Sequence, residues 1–218
     1  MPLFRPRLAL LRLGALLLIS PLLPAAQAVD GKQLYTQQCV ACHGATGTGN
    51  AALQAPPLAG ADADYIARQL RQFRSRMRGG EAAQGPAATM QAIAQALPDE
   101  AALQAVAQYI GRFKPLAAKP EAGLTPALLN KGKALFAVCV ACHGAHGEGT
   151  PALSAPRLTH LPAWYLRSQL QAYREGTRGQ HPEDRQGQQM RQVAAELLTD
   201  DESLRAVVAF VSSLATQR

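Results

Sequence analysis

Cys39-Val40-Ala41-Cys42-His43-Gly44-Ala45 returns unchanged, 100 residues later, as Cys139-Val140-Ala141-Cys142-His143-Gly144-Ala145. The repeat spreads outward from this stretch. The same shift pairs Gly47 with Gly147, Pro56 with Pro156, Leu58 with Leu158, Tyr65 with Tyr165 and Gln69-Leu70 with Gln169-Leu170. It continues through Arg74 and Arg174, Arg78-Gly79 and Arg178-Gly179, and Met90 and Met190. Towards the end the shift becomes 101, pairing Leu97, Leu103, Val106 and Tyr109 with Leu198, Leu204, Val207 and Phe210. Such self-similarity at a fixed period is the mark of a duplicated structural unit.

All four cysteines fall in the two C-x-x-C pairs. Cysteines three apart on a helical turn face the same way. Their thiols can add to the two vinyl groups of one haem, and the adjacent histidine can reach the iron, which is why C-x-x-C-H reads as a c-type haem attachment site. A thioredoxin-like pair calls for a β-α-β context, and none is visible. A zinc ribbon sets its two pairs 15–20 residues apart, not 100. Structural disulfides leave the matched His43 and His143 without a reason. Two covalently bound haem c groups are therefore expected.

The sixth ligand separates an open, reactive iron from a closed one that exchanges electrons. Met90 lies 47 residues after His43, and Met190 lies 47 after His143. Met77 aligns with Thr177, and His146, His160 and His181 align with Thr46, Gly60 and Glu81. The duplicated pair is preferred. Met77 is read as packing or surface, and the three unpaired histidines as surface or loop residues. The cofactor-binding set is Cys39, Cys42, His43, Met90, Cys139, Cys142, His143 and Met190. The iron ligands are His43, Met90, His143 and Met190, and no catalytic residue is expected. Ligating imidazoles need an orienting acceptor, and a carbonyl in the Pro56-Pro57-Leu58 and Pro156-Arg157-Leu158 loops is the candidate.

The fold expected is all-α, with two tandem domains at 29–115 and 125–218. A linker at 116–124 overlaps the proline- and charge-bearing stretch Lys114 to Gly123. It is short enough for the domains to touch. Each copy reads as three or more helices: one entering C-x-x-C-H, a middle one from Asp64 or Ala163, and a last one behind Asp99-Glu100 or Asp200-Asp201-Glu202. Thr125 and Pro126 suit the cap and first position of the second copy's first helix.

Residues 1–28 read as a cleaved secretory signal: Arg5 and Arg7, an apolar run from Leu8 to Leu23, then Ala26-Gln27-Ala28. A membrane anchor is the alternative, but the run is short and holds Arg12. Removing Arg5, Arg7 and Arg12 from 22 basic residues leaves 19 against 15 acidic ones. Two haems bring four propionates, so the basic balance gives no case for nucleic acid. Among the arginines, the duplicated Arg74/Arg174 and Arg78/Arg178 suit haem propionates. Arg71 and Arg76 face a partner or idle in solvent.

The tandem C-x-x-C-H domains, each with its later methionine, resemble the dihaem cytochrome c4 family of bacteria. So do the helices Tyr65…Gln69-Leu70…Phe73-Arg74 and Tyr165…Gln169-Leu170…Tyr173-Arg174. The resemblance covers nearly all of the chain after the signal. It implies two class I cytochrome c domains in a monomeric periplasmic carrier, which moves single electrons between redox proteins in a respiratory chain. Donor and acceptor would be a quinol-oxidising complex or a terminal oxidase, with peripheral membrane contact. It implies that the Pro56 and Pro156 carbonyls accept from His43 and His143. It also implies that Gly31 with Tyr35, and Gly132 with Phe136, pack on the last helix. Tyr35 precedes Cys39 by four residues, Phe136 precedes Cys139 by three, so the two pockets need not be equivalent. Two other readings stand beside the carrier. One is a dihaem peroxidase-type enzyme with one site opening. The other is the electron-transfer subunit of a membrane complex.

Overall fold

The computed structural model describes residues 29–116 and 121–214, so the signal lies outside the described residues, as do positions 117–120 of the linker. The first unit consists of α1 (Gly31–Gln38), α2 (Val40–His43), a 3-10 turn at Ala51–Leu53, α3 (Ala63–Arg74), α4 (Gly85–Ala96) and α5 (Glu100–Ile110). The second repeats it as α6 (Pro126–Phe136), α7 (Val140–His143), a 3-10 turn at Pro151–Leu153, α8 (Ala163–Arg174), α9 (Arg185–Leu197) and α10 (Asp201–Leu214). The only β pairing among the described residues is two isolated bridges, Asn50 with Ala55 and Thr150 with Ala155. No helix there is long and apolar enough to cross a membrane.

The caps follow the residue chemistry. Asp30, Asp62 and Thr125 accept from backbone N–H groups in the first turns of α1, α3 and α6, satisfying donors that a helix start leaves unpaired. Pro126 occupies the first turn of α6. In each unit the first helix crosses the last at backbone distance. A Cβ on Gly31 would lie 2.1 Å from the Ala105 carbonyl oxygen, and one on Gly132 would lie 2.0 Å from that of Ala206. Only glycine permits that approach. Beside each crossing an aromatic pair closes the contact, Tyr35 with Tyr109 and Phe136 with Phe210, ring centroids 5.5 Å apart in both.

Each unit has its own core. Leu70, Phe73, Ala94, Leu103, Val106 and Ile110 lead the first; Leu166, Tyr173, Leu198, Leu204, Val207 and Val211 lead the second. The middle and last helices stand where the apolar spacing puts them. A fourth helix in each unit, α4 and α9, carries Met90 and Met190 within regular structure. Pro86 sits in the first turn of α4, where its missing N–H is no loss, and the seven alanines and glutamines from Ala87 to Ala96 favour continuing the helix.

Candidate haem sites

The attachment turn is built the same way twice. Cys39 and Cys139 stand at the N-termini of one-turn helices that end on His43 and His143. The His43 and His143 N–H groups bond back to the Cys39 and Cys139 carbonyls at 2.9 Å. That turn places both sulfurs and the imidazole of each motif on one short element. All four cysteines are free thiols and partly buried. Burial above all pushes the Cys39 and Cys139 thiols up to about 11.

Each imidazole has one nitrogen committed. His43 Nδ1 lies 2.8 Å from the Pro56 carbonyl oxygen and His143 Nδ1 lies 2.9 Å from that of Pro156. A carbonyl can only accept, so Nδ1 carries the proton and Nε2 keeps its lone pair. Burial holds both rings below the ordinary histidine range, only partly countered by these hydrogen bonds. A buried neutral imidazole with Nε2 free, beside two reduced thiols on the same turn, fits covalent haem. The Gly49 and Gly149 N–H groups bond the His43 and His143 carbonyls at 2.8 Å, tying the loop that carries each proline to its turn.

Met90 packs against the core that also receives Cys39, and Met190 against the core that receives Cys139. Met77 sits half-buried in the turn after α3. His146 is exposed and His181 lies in the turn before α9, its Nδ1 accepting from the Glu183 N–H at 3.2 Å. His160 departs from the surface reading. It is 4% exposed, with Nδ1 unpartnered, because the first domain covers it: a Cβ on Gly60 would meet the His160 Cβ at 3.2 Å.

One contact had no signal of its own in the motif. The Tyr35 hydroxyl donates to the Gly44 carbonyl at 2.6 Å, fastening the end of the attachment turn. Phe136 takes the matching place and has no hydroxyl. The tyrosine-for-phenylalanine difference between the copies was the only hint.

The arginines divide differently from the expectation. Arg74 donates to the carbonyls of Ala94, Leu97 and Asp99, and Arg174 to the Leu198 carbonyl and the Asp201 carboxylate. Both tie the middle helix to the junction before the last helix, so their duplication reflects folding. Arg71 pairs with Glu100 and Arg76 with Glu81 on exposed surface. Arg78 and Arg178 meet at the seam between the domains. Arg78 donates to Gln69 Oε1 at 2.6 Å, Gln169 Oε1 at 2.9 Å and the Tyr165 hydroxyl at 3.1 Å. Arg178 donates to Gln169 Oε1 at 2.6 Å and Gln69 Oε1 at 3.0 Å. Each guanidinium also lies 4.5 Å over an aromatic ring, Phe73 or Tyr173. Burial raises the Tyr65 phenol, but the Arg178 and Arg78 charges outweigh it and bring the group below its ordinary value. Repeated residues thus form a crossed lattice across a pseudo-two-fold seam.

Two haem-attachment turns, each with its clamped histidine inside its own helical unit, define a dihaem c-type cytochrome, a carrier of electrons. The family model for cytochrome c matches residues 28–114 and 129–215. A thiosulfate dehydrogenase electron acceptor of Stutzerimonas stutzeri is 38% identical over 207 residues, covering 87% of this chain and 88% of that protein. A cytochrome c4 of Thiocapsa roseopersicina is 32% identical over 187 residues, covering 81% and 86%. The solved reduced recombinant cytochrome c4 of Pseudomonas stutzeri superposes with a TM-score of 0.67 at 26% identity, covering 86% of this chain and 98% of that one. The chain belongs to the cytochrome c family, as a member of its dihaem cytochrome c4 branch.

Proposed function

We propose that this protein is an exported respiratory carrier in which both irons are closed by histidine and methionine. Cys39 and Cys42 would hold the first haem by thioethers, with His43 and Met90 as ligands to its iron. Cys139, Cys142, His143 and Met190 would do the same for the second. The observation that carries this is the placement of each matched methionine against the core that receives its own attachment cysteine. When bound, haem would supply the one-electron couple, and a methionine ligand would raise its potential. The protein keeps Nδ1 protonated against a proline carbonyl and covers the histidine from water. At the seam, Arg78 and Arg178 face neutral amide and phenol acceptors, which leaves positive charge suited to propionate carboxylates.

Cleavage near Ala28 releases domains 29–115 and 125–218, joined by 116–124, into the periplasm as a monomer. The acceptor is a terminal oxidase. For the donor, the relative named as a thiosulfate dehydrogenase electron acceptor favours a dehydrogenase that oxidises a sulfur compound over a quinol-oxidising complex. The test is stopped-flow mixing of the oxidised holoprotein with thiosulfate and purified thiosulfate dehydrogenase. Rapid reduction of both haems supports this donor. Reduction by a quinol-oxidising complex alone rejects it and leaves the carrier reading standing.

A further inference from the structure

The helices that carry Met90 and Met190 are held by different devices. In the first domain the tether is internal. Gln91, next to Met90, is buried and donates from Nε2 to the Arg78 and Gly80 carbonyls, both at 2.9 Å. The residue just before α4, Gln84, makes no capping bond with its side chain. In the second domain position 191 is an exposed arginine, so that tether is missing. There α9 starts behind Asp184, a carboxylate only 5% exposed. Its Oδ1 accepts from the Gly187 N–H at 2.9 Å and from Gln72 Nε2 at 2.9 Å. A Cβ on Gly187 would lie 2.0 Å from Asp184 Oδ2, so the carboxylate rests directly on the first turn.

Gln72 belongs to the first domain, and it is not free to turn round. Asp184 can only accept, so the Gln72 amide must point its nitrogen there and its oxygen away. That oxygen accepts from Gln69 Nε2 at 2.9 Å, which in turn leaves Gln69 Oε1 for Arg78 and Arg178. The chain Arg178–Gln69–Gln72–Asp184 thus leaves the second domain, passes through the first and returns to the start of the methionine helix. A buried carboxylate needs such partners. The matching position to Gln72 in the second domain is Ala172, so nothing reciprocal reaches α4.

We infer that the first domain positions the sixth ligand of the second haem, with Gln72 as the positioning residue acting through Asp184 on the helix of Met190. The inference rests on Met190 being that ligand. It makes the two haems unequal by construction: loosening the seam weakens methionine ligation at the second iron and leaves the first untouched.

The test uses the full holoprotein, with Gln72→Ala and the similarly sized Gln72→Met, which keeps volume but has no amide donor. The iron-bound methionine methyls of the two haems are resolved by proton NMR in the reduced state and assigned with Met190→His. Methionine loss in the oxidised state is followed by pH titration of the far-red methionine band. In both variants the second haem should lose its methionine about one pH unit lower. That tenfold change, about 1.4 kcal/mol, is close to the lower end for a hydrogen bond to a charged group. The first haem should not move. Unchanged titrations, or equal shifts at both haems as a general loss of stability would give, overturn the inference. A wild-type protein without the Met190 methyl signal overturns the ligand assignment first, and the inference with it.

Discussion

Replacing Gln69 by Ala removes the acceptor on which two guanidinium groups converge. Gln69 is 8% exposed, and its Oε1 takes Arg78 at 2.6 Å and Arg178 at 3.0 Å. Hydrogen bonds to charged groups contribute about 1.5–3 kcal/mol each. Both arginines are only partly buried, so the lower end applies, giving about 3 kcal/mol for the pair. The lost donor to Gln72 adds about 1 kcal/mol. Against a typical total of about 5–15 kcal/mol, that is enough to uncouple the domains. The assay is guanidinium denaturation of the oxidised holoprotein, read by haem absorbance for both units and by Trp164, the single tryptophan, for the second. The wild type should unfold in one shared transition. Gln69→Ala should show a lower midpoint, with the two signals separating. A change below about 1 kcal/mol with the signals still coincident would refute the role assigned to the seam.

Three further outcomes follow from single contacts. Gly132→Ala puts a Cβ 2.0 Å from a backbone oxygen that cannot move aside, so the second domain should lose about 3 kcal/mol in the Trp164-monitored denaturation. Tyr35→Phe removes the 2.6 Å bond to Gly44 and should cost the first domain about 1 kcal/mol, while the second, which has Phe136 there, is unaffected by denaturation. Burial and then the Arg157 charge depress His160 to about 4 from 6.5. The unfolded chain therefore binds the extra proton between those values, so stability falls as pH drops from about 6.5 to about 4. The loss is up to about 3 kcal/mol. Denaturation midpoints of His160→Gln should fall less over that window than those of the wild type.

The duplicated motif made the helical units, their tandem order and the attachment residues legible before any coordinates, because covalent haem chemistry fixes cysteine spacing and packing fixes the apolar stripes. Gly31 and Gly132 came through the family resemblance, and the crossings at Ala105 and Ala206 supply the physical reason for them. The repeat also misled where it was trusted for role. Arg74 and Arg174 are matched because both copies need their helix junctions tied, a need that looks the same in sequence as a shared ligand. His160 was unreadable because its burial comes from the other domain, through Gly60, a residue 100 positions away. Gln72 and Asp184 were hidden for the opposite reason. They have no repeat partners, and comparing the copies discards whatever is unpaired.

The closed-haem reading turns most directly on a redox titration of the holoprotein followed by visible spectroscopy. Two one-electron waves, with both irons low-spin and both contributing to the methionine band when oxidised, are the predicted result. A high-spin iron that reacts with peroxide would contradict it and would make one of these sites a catalyst.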